Sequence, residues 1–268
     1  MTNPSVLAQE FFAHGRAAEC PVIDMHTHPG PYSAIYFPNA TPERMIETMD
    51  RSGVRLMCAV SHAALVETAR GNAYTEAIVR KYPDRVRAYW GLNPNYPERV
   101  RAEVADFENH AGFVGFKFLA DYHRVPITDE AYVPALEYAH ERKLLILIHT
   151  WGRSAYDSPD HVEPLAKRYP GATLLMAHCG YGEWDKSIRL AVEYPNVYLE
   201  ITGTHNPRGI IEKMVRGAGS EKVLYGTDLP WFDPHYVIGC VLCARITDED
   251  RHNILHRNAE RLLQPFGV

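Results

Sequence analysis

Eight short segments, β-branched or aromatic and mostly apolar, recur along this chain about every 25 to 35 residues, the length of one strand–helix unit. They are Val22–His26, Val54–Ser61, Val86–Asn93, Phe113–Leu119, Leu144–Thr150, Thr173–Cys179, Val197–Thr202 and Val223–Thr227. Most are apolar on both faces rather than alternating, as strands of a parallel sheet covered on both sides are. Parallel neighbours need a crossover, and the intervening stretches carry helix signals. Thr41-Pro42-Glu43-Arg44 offers an N-cap, a proline at the first helical position and an acidic first turn. Thr128-Asp129-Glu130 opens a helix over Tyr132–Arg142, and Ser158-Pro159-Asp160 opens another over Val162–Tyr169. Tyr82-Pro83, Tyr169-Pro170 and Tyr194-Pro195 each end a helix and turn the chain towards the next strand.

Eight such units in roughly 250 residues make a (β/α)8 TIM barrel. An open doubly wound sheet is the alternative, but no glycine-rich fingerprint follows the first strand. The 268 residues therefore read as one α/β domain. Residues 1–19 form a leading helix over the barrel's lower mouth, 20–230 the barrel, and 231–268 the C-terminal helices.

A formal net charge of -5 without a basic stripe argues against nucleic acid as a partner. No apolar run approaches the roughly 18 residues that span a bilayer, and Met1-Thr2-Asn3-Pro4 is unlike a secretory leader. The chain reads as cytoplasmic, with a small molecule as its partner and no membrane. Its five cysteines are an odd number, which fits reduced thiols. Cys240-Val241-Leu242-Cys243 has C-x-x-C spacing but lies in an apolar helical stretch, so it reads as core packing. The apolar segments Tyr32–Phe37 and Pro230–Phe232 suggest a homodimer contact.

In a barrel the C-terminal ends of all strands meet at one face, where active sites form. The first strand ends in His26-Thr27-His28, and residues two apart on a strand face the same way, so both imidazoles can share one cation. The fourth strand brings Lys117, the fifth His149, the sixth His178, and the eighth ends at Asp228. Singly, each reads as a satisfied core residue, a snorkelling lysine or a turn cap. Together they put polar groups at the same end of five strands, which points to a metal site.

These residues carry a resemblance to the amidohydrolase superfamily, in the branch of small hydrolases and nonoxidative decarboxylases. It runs from Ile23 to about Leu263. Its motifs are Asp24-Met25-His26-Thr27-His28, Gly115-Phe116-Lys117, His149, Ala177-His178-Cys179-Gly180, Gly226-Thr227-Asp228-Leu229-Pro230 and Asn258-Ala259-Glu260-Arg261-Leu262-Leu263. The resemblance implies that His26, His28, His149 and Asp228 hold a divalent cation, with zinc expected and manganese the alternative. A second metal would draw on His178 and on Lys117 carboxylated by carbon dioxide; one metal is the preferred reading.

The expected chemistry is hydrolysis of a small ester, lactone or amide by a cation-activated water. Asp228 would move the proton and His178 would polarise the carbonyl. The alternative is metal-dependent nonoxidative decarboxylation of a small aromatic or unsaturated acid; this chain's near-minimal length weighs against it. A noncatalytic binding barrel is the third reading. Trp151, Arg153, Tyr181 and His205 follow strands on the active face and are expected substrate contacts, with His62 as a further rim residue. Glu200 reads equally as an interior ion pair. His252 and His256 lack the glutamate of a zinc-protease helix and read as a solvated or packing face.

Overall fold

The computed structural model describes residues 5–268. Eight strands lie in one parallel sheet in chain order: β1 Val22–Thr27, β2 Val54–Ala59, β3 Val86–Gly91, β4 Phe113–Phe118, β5 Leu145–Trp151, β6 Thr173–Tyr181, β7 Val197–Glu200 and β8 Val223–Leu224. Helices fill the crossovers, and the sheet closes on itself. The β8–β1 seam is sparse: a single bridge joins Thr27 and Leu229, backed by Met25 N–H donating to Tyr225 O, His28 N–H to Leu229 O and Asp228 N–H to His26 O. This is the (β/α)8 barrel.

Alternation along the strands builds two cores. On β5, Leu145 and Leu147 point into the barrel with Ile23, Met25, Leu56, Tyr89 and Leu175. Ile146 and Ile148 point outward to the helices. Truncating a side chain as enclosed as Leu147 to alanine costs about 2–5 kcal/mol. The same alternation sends His149, two beyond Leu147, inward at the upper mouth.

The helix starts are as the sequence predicts: Thr41 Oγ1 accepts from Arg44 N, and Pro42 opens the helix Pro42–Ser52. Near Asp129 a short 3₁₀ turn, Glu130–Tyr132, precedes the α-helix Val133–Arg142. The leading helix, Val6–His14, does not close the lower mouth. It packs Leu7, Ala8 and Phe11 into the outer core. The final helix Asn258–Leu263 takes that place: Ala259 and Leu263 join the interior cluster, and Asn258 Nδ2 donates to Ser220 O and Val223 O at the start of β8. In the C-x-x-C helix Cys240 is half-buried against the outer core while Cys243 is exposed, so core packing holds for the first cysteine and not the second. Among the described residues no helix is long and apolar enough to cross a membrane.

Candidate metal centre

His26 Nε2, His28 Nε2 and Asp228 Oδ1 converge at the upper mouth. The two nitrogens are 3.0 Å apart, and Asp228 Oδ1 lies 3.2 Å from the first and 3.0 Å from the second. Each ring's other nitrogen is already committed. His26 Nδ1 lies 2.8 Å from Glu200 Oε2, and His28 Nδ1 2.8 Å from Val60 O. Those oxygens only accept, so in neutral rings the proton sits on Nδ1 and both Nε2 atoms present lone pairs. Asp228 Oδ1 is buried with no hydrogen-bond partner. Three lone-pair atoms facing one another repel unless a cation lies between them, and two imidazoles with a carboxylate suit a divalent one.

The electrostatics agree. Burial, and after it Lys117, pushes the His26 imidazole well below its ordinary range. Burial works to raise the Asp228 carboxyl, yet the facing His26 and His28 hold it well below the usual carboxylate range. Lys117, its Nζ 3.1 Å from His26 Nε2, supplies one positive charge beside them, and a cation among the three atoms would add to it.

The scaffold fixes these groups in advance. Asp24, on β1, accepts from His26 N and Thr227 N, each at 3.1 Å, and from the Thr227 hydroxyl. It thereby ties the HxH strand to the turn carrying Asp228. Burial pushes its carboxyl up to about 8. Asp228 sits at φ 60, a left-handed conformation that aspartate tolerates better than most residues. Glu200 is fully buried and also accepts from Thr202 N at 2.6 Å. It is the carboxylate that commonly orients a metal-ligating histidine. Gly226 makes room for it, because a Cβ there would lie 2.2 Å from Glu200 Oε1.

Lys117 lies on the barrel interior beside these groups, its Nζ 3.1 Å from His26 Nε2. Burial lowers its amine to about 8, against the pull of Asp228, Glu200 and Asp157. His178 stands across the cavity at φ 64. Its Nδ1 donates to Thr202 O at 3.0 Å, which leaves Nε2 free, and burial lowers its pKa. His149 lines the same cavity, its ring centroid 4.7 Å from that of His178. Its Nε2 lies 3.8 Å from Asp121 Oδ2, and its ligand grouping is with Asp121 and Asp157. The structure thus brings three of the four expected ligands into one cluster and leaves His149 at the wall beside it.

The cavity holds about 250 Å³, just under the usual 300–1,000 Å³ of ligand sites and enough for one ring. Leu65, Leu119, Tyr122, Trp151, Trp231 and Phe232 supply its apolar walls. Trp151 is near-parallel to His149 (5°) and stacks on Tyr181, centroids 4.5 Å apart at 17°. Tyr181 therefore backs the wall. Arg153 is exposed, at φ 63, with its backbone N–H donating to Glu183. His205 is packed against Phe232 and Tyr236. Neither lines this cavity.

His62 does line it: its Nδ1 donates to Gly30 O, and its Nε2 accepts from Trp231 Nε1, both at 3.0 Å. The Tyr32 and Phe37 rings stack on His62, so part of the segment read as a dimer contact packs behind a wall residue of the cavity. Sequence reasoning missed Tyr122, Asp121 and Asp157. They lie beyond strand ends, where only proximity to other strands gives them meaning. Asp24 was visible as part of the first motif, although its link to Thr227 was not.

A family model described as Amidohydrolase matches residues 23–264, and the chain belongs to that family. No curated protein matches the sequence. Several solved structures match over most of the chain. The 2,6-dihydroxybenzoate decarboxylase from Rhizobium is 16% identical, with a TM-score of 0.73 over 92% of this chain and 100% of that chain. A dihydroxybenzoic acid decarboxylase from a Polaromonas species, with bound manganese and the inhibitor 2-nitroresorcinol, is 17% identical, with a TM-score of 0.76 over 93% and 98%. The 5-carboxyvanillate decarboxylase from Sphingomonas paucimobilis is 13% identical, with a TM-score of 0.74 over 91% and 99%. At such identities the likeness concerns the fold.

Proposed function

We propose that this protein is a metal-dependent nonoxidative decarboxylase of a small, flat carboxylic acid, using one divalent cation at His26, His28 and Asp228 with His149 alongside. The observation that carries the reading is the pairing of two features. The converging histidine nitrogens and the Lys117 amine lie at the floor of the cavity, and largely apolar, mostly aromatic walls rise above them. The similar decarboxylases from Rhizobium, Polaromonas and Sphingomonas support it over hydrolysis. Those chains are covered almost end to end, so length does not weigh against decarboxylation. Manganese and zinc both suit the donors, and the manganese in the Polaromonas structure makes manganese the first metal to test.

A divalent cation at this point supplies the charge that holds an acid's carboxylate and a neighbouring oxygen. The protein does the rest. Lys117 adds positive charge at the floor for an anionic acid, and Trp151, backed by Tyr181, offers a flat face for its ring. As the bond to the carboxylate carbon breaks and carbon dioxide leaves, its electron pair forms a new C–H bond at the ring carbon. The proton comes from Asp228, which is ionised in the free site and takes one up from an acidic hydroxyl of the substrate. His178, with Nε2 unengaged and Nδ1 pinned to Thr202 O, orients the substrate from the opposite wall.

The test is carbon dioxide release under anaerobic conditions from a panel of hydroxybenzoic and unsaturated acids, with manganese- or zinc-loaded protein. Release that is lost in Asp228→Asn with metal retained is the expected result. A panel without release, alongside turnover of esters, lactones or amides, would overturn decarboxylation in favour of hydrolysis.

A further inference from the structure

At the opposite end of β1 from His26, three ligand-bearing side chains meet that the centre above does not use. Ligand atoms of Cys20, His252 and His256 all lie within 4.8 Å of one another. The imidazoles face each other through His252 Nδ1 and His256 Nε2, 3.0 Å apart, with the rings edge-on at 82°. Cys20 and His256 are buried, while His252 is partly open to solvent. Glu260 Oε1 lies 3.2 Å from the far nitrogen of His256, close to it but without the alignment of a hydrogen bond. The two histidines straddle the point where the helix Asp248–His252 passes into a π-helical turn, Asn253–Arg257. Such turns inside α-helices are frequent at functional sites.

We infer that Cys20, His252 and His256 form a second metal site, taking a zinc-class ion on one thiolate and two imidazoles, with a fourth position left to water. This donor set is the nitrogen-and-sulfur combination zinc favours. Without metal, one ring N–H donates to the other ring. On binding, that proton moves to the donor ring's far nitrogen, where Glu260 can receive it from His256, and the thiol proton leaves to solvent. The site's place in the fold gives it a purpose. Cys20 leads into β1 and the histidines follow β8, so the ion fastens the two sides of the sparse closing seam from below. Six residues of extended chain, roughly 20 Å, separate Cys20 from His26, so this clamp is independent of the proposed decarboxylation.

Cobalt(II) titration of the reduced, chelator-stripped full chain tests it. The upper centre contains no sulfur, so a thiolate-to-cobalt charge-transfer band in the near ultraviolet reports only a cysteine-bearing site. The expected result is a band that saturates within two equivalents in all, because the upper centre takes cobalt without contributing to it. Zinc should abolish it, Cys20→Ser and His252→Gln should each lose it, and Cys243→Ser in the exposed C-x-x-C pair should keep it. Added zinc should raise the Tm of the wild type more than that of His252→Gln. Absence of the band in the wild type would overturn the inference. So would its survival at full intensity in His252→Gln, a partly exposed position whose fold circular dichroism can verify if Cys20→Ser does not fold.

Discussion

Glu200→Gln tests the metal centre without touching an expected ligand. Two N–H donors point at this side chain: His26 Nδ1 at 2.8 Å from Oε2 and Thr202 N at 2.6 Å from Oε1. A carboxylate accepts both, whereas glutamine has a single accepting oxygen. If the amide keeps Thr202, its NH2 faces His26 Nδ1. That ring must then carry its proton on Nε2, where it should offer a lone pair. If the amide keeps His26, its NH2 opposes the Thr202 N–H in a fully buried pocket. Loss of an outer partner of this kind typically weakens metal binding about 10- to 100-fold, which is about 1.4–2.8 kcal/mol. Calorimetric titration of chelator-stripped protein with manganese should show that rise in Kd for the upper centre in the variant. The Cys20→Ser background keeps the lower cluster out of the measurement. Since the substitution is nearly isosteric, the secondary structure of the stripped variant should match its parent. A manganese Kd within twofold of the parent's would refute the tautomer argument, and with it the claim that His26 Nε2 is a ligand.

Three further outcomes follow from the same geometry. Burial pushes the Asp157 carboxyl up from 3.8 to about 7. Between those values the folded chain holds a proton the unfolded chain has shed, so its stability falls as pH rises, by at most about 1.4 kcal/mol per unit. Asp157→Asn removes that loss, and its urea stability relative to wild type should climb through this window and stay ahead above it; a difference that is flat with pH would count against the shift. Gly226→Ala drives a Cβ to within 2.2 Å of Glu200 Oε1. It should destabilise the fold by about 1–3 kcal/mol and weaken manganese binding, read by thermal melting and calorimetry, and an unchanged melt would contradict the close packing. Trp151→Ala removes a stacking face worth about 0.5–1.5 kcal/mol, so KM for a ring acid should rise roughly twofold to tenfold with kcat less affected. A fall confined to kcat would place Trp151 away from the ring.

Strand starts were legible almost to the residue because most open on an apolar side chain after a proline, asparagine or glycine-bearing turn, β5 after Arg142-Lys143 and β6 on Thr173 excepted, and parallel strands need no partner-specific pattern. Strand ends were less so. The run Val223–Thr227 reads as strand throughout, yet β8 stops at Leu224, since Tyr225 N–H donates to Ile254 O in the C-terminal helix. His26, His28 and Asp228 were readable because a strand's period of two and a shared barrel face fix where they point. The same period turns His149 inward, but the lean of its ring towards Asp121 was not readable, because Trp151 at the end of β5 and Asp121 after β4 set it. Glu200 was ambiguous from sequence for the same reason: inside a barrel, an ion pair and a ligand's orienting carboxylate look alike until the neighbouring nitrogen is seen. His252 and His256 read as a helix face, and nothing local reveals that Cys20, more than 200 residues earlier, lies against them.

The charges at the upper mouth bear on the proposed choice of an anionic acid over a neutral ester. Asp228 is ionised there, and Glu200, each of whose oxygens receives an N–H, acts as a second carboxylate. Burial raises Asp24 to about 8 against the three donors on its oxygens, and Lys117, lowered to about 8, is mostly charged at neutral pH. Asp228 and the buried carboxylates around it, set against Lys117, leave the metal-free site short of positive charge, a deficit that a dication would offset. An incoming carboxylate would meet the dication and Lys117 together, whereas in hydrolysis the water on the cation, as hydroxide, would supply the negative charge. For an acid to meet both, Lys117 must stay an amine. Carboxylation would exchange its positive charge for a negative one and leave room for a second cation instead of an acid. The mass of Lys117 in the purified protein therefore discriminates between the two chemistries: an unmodified side chain fits one metal and an anionic substrate, and a carbamate fits two metals.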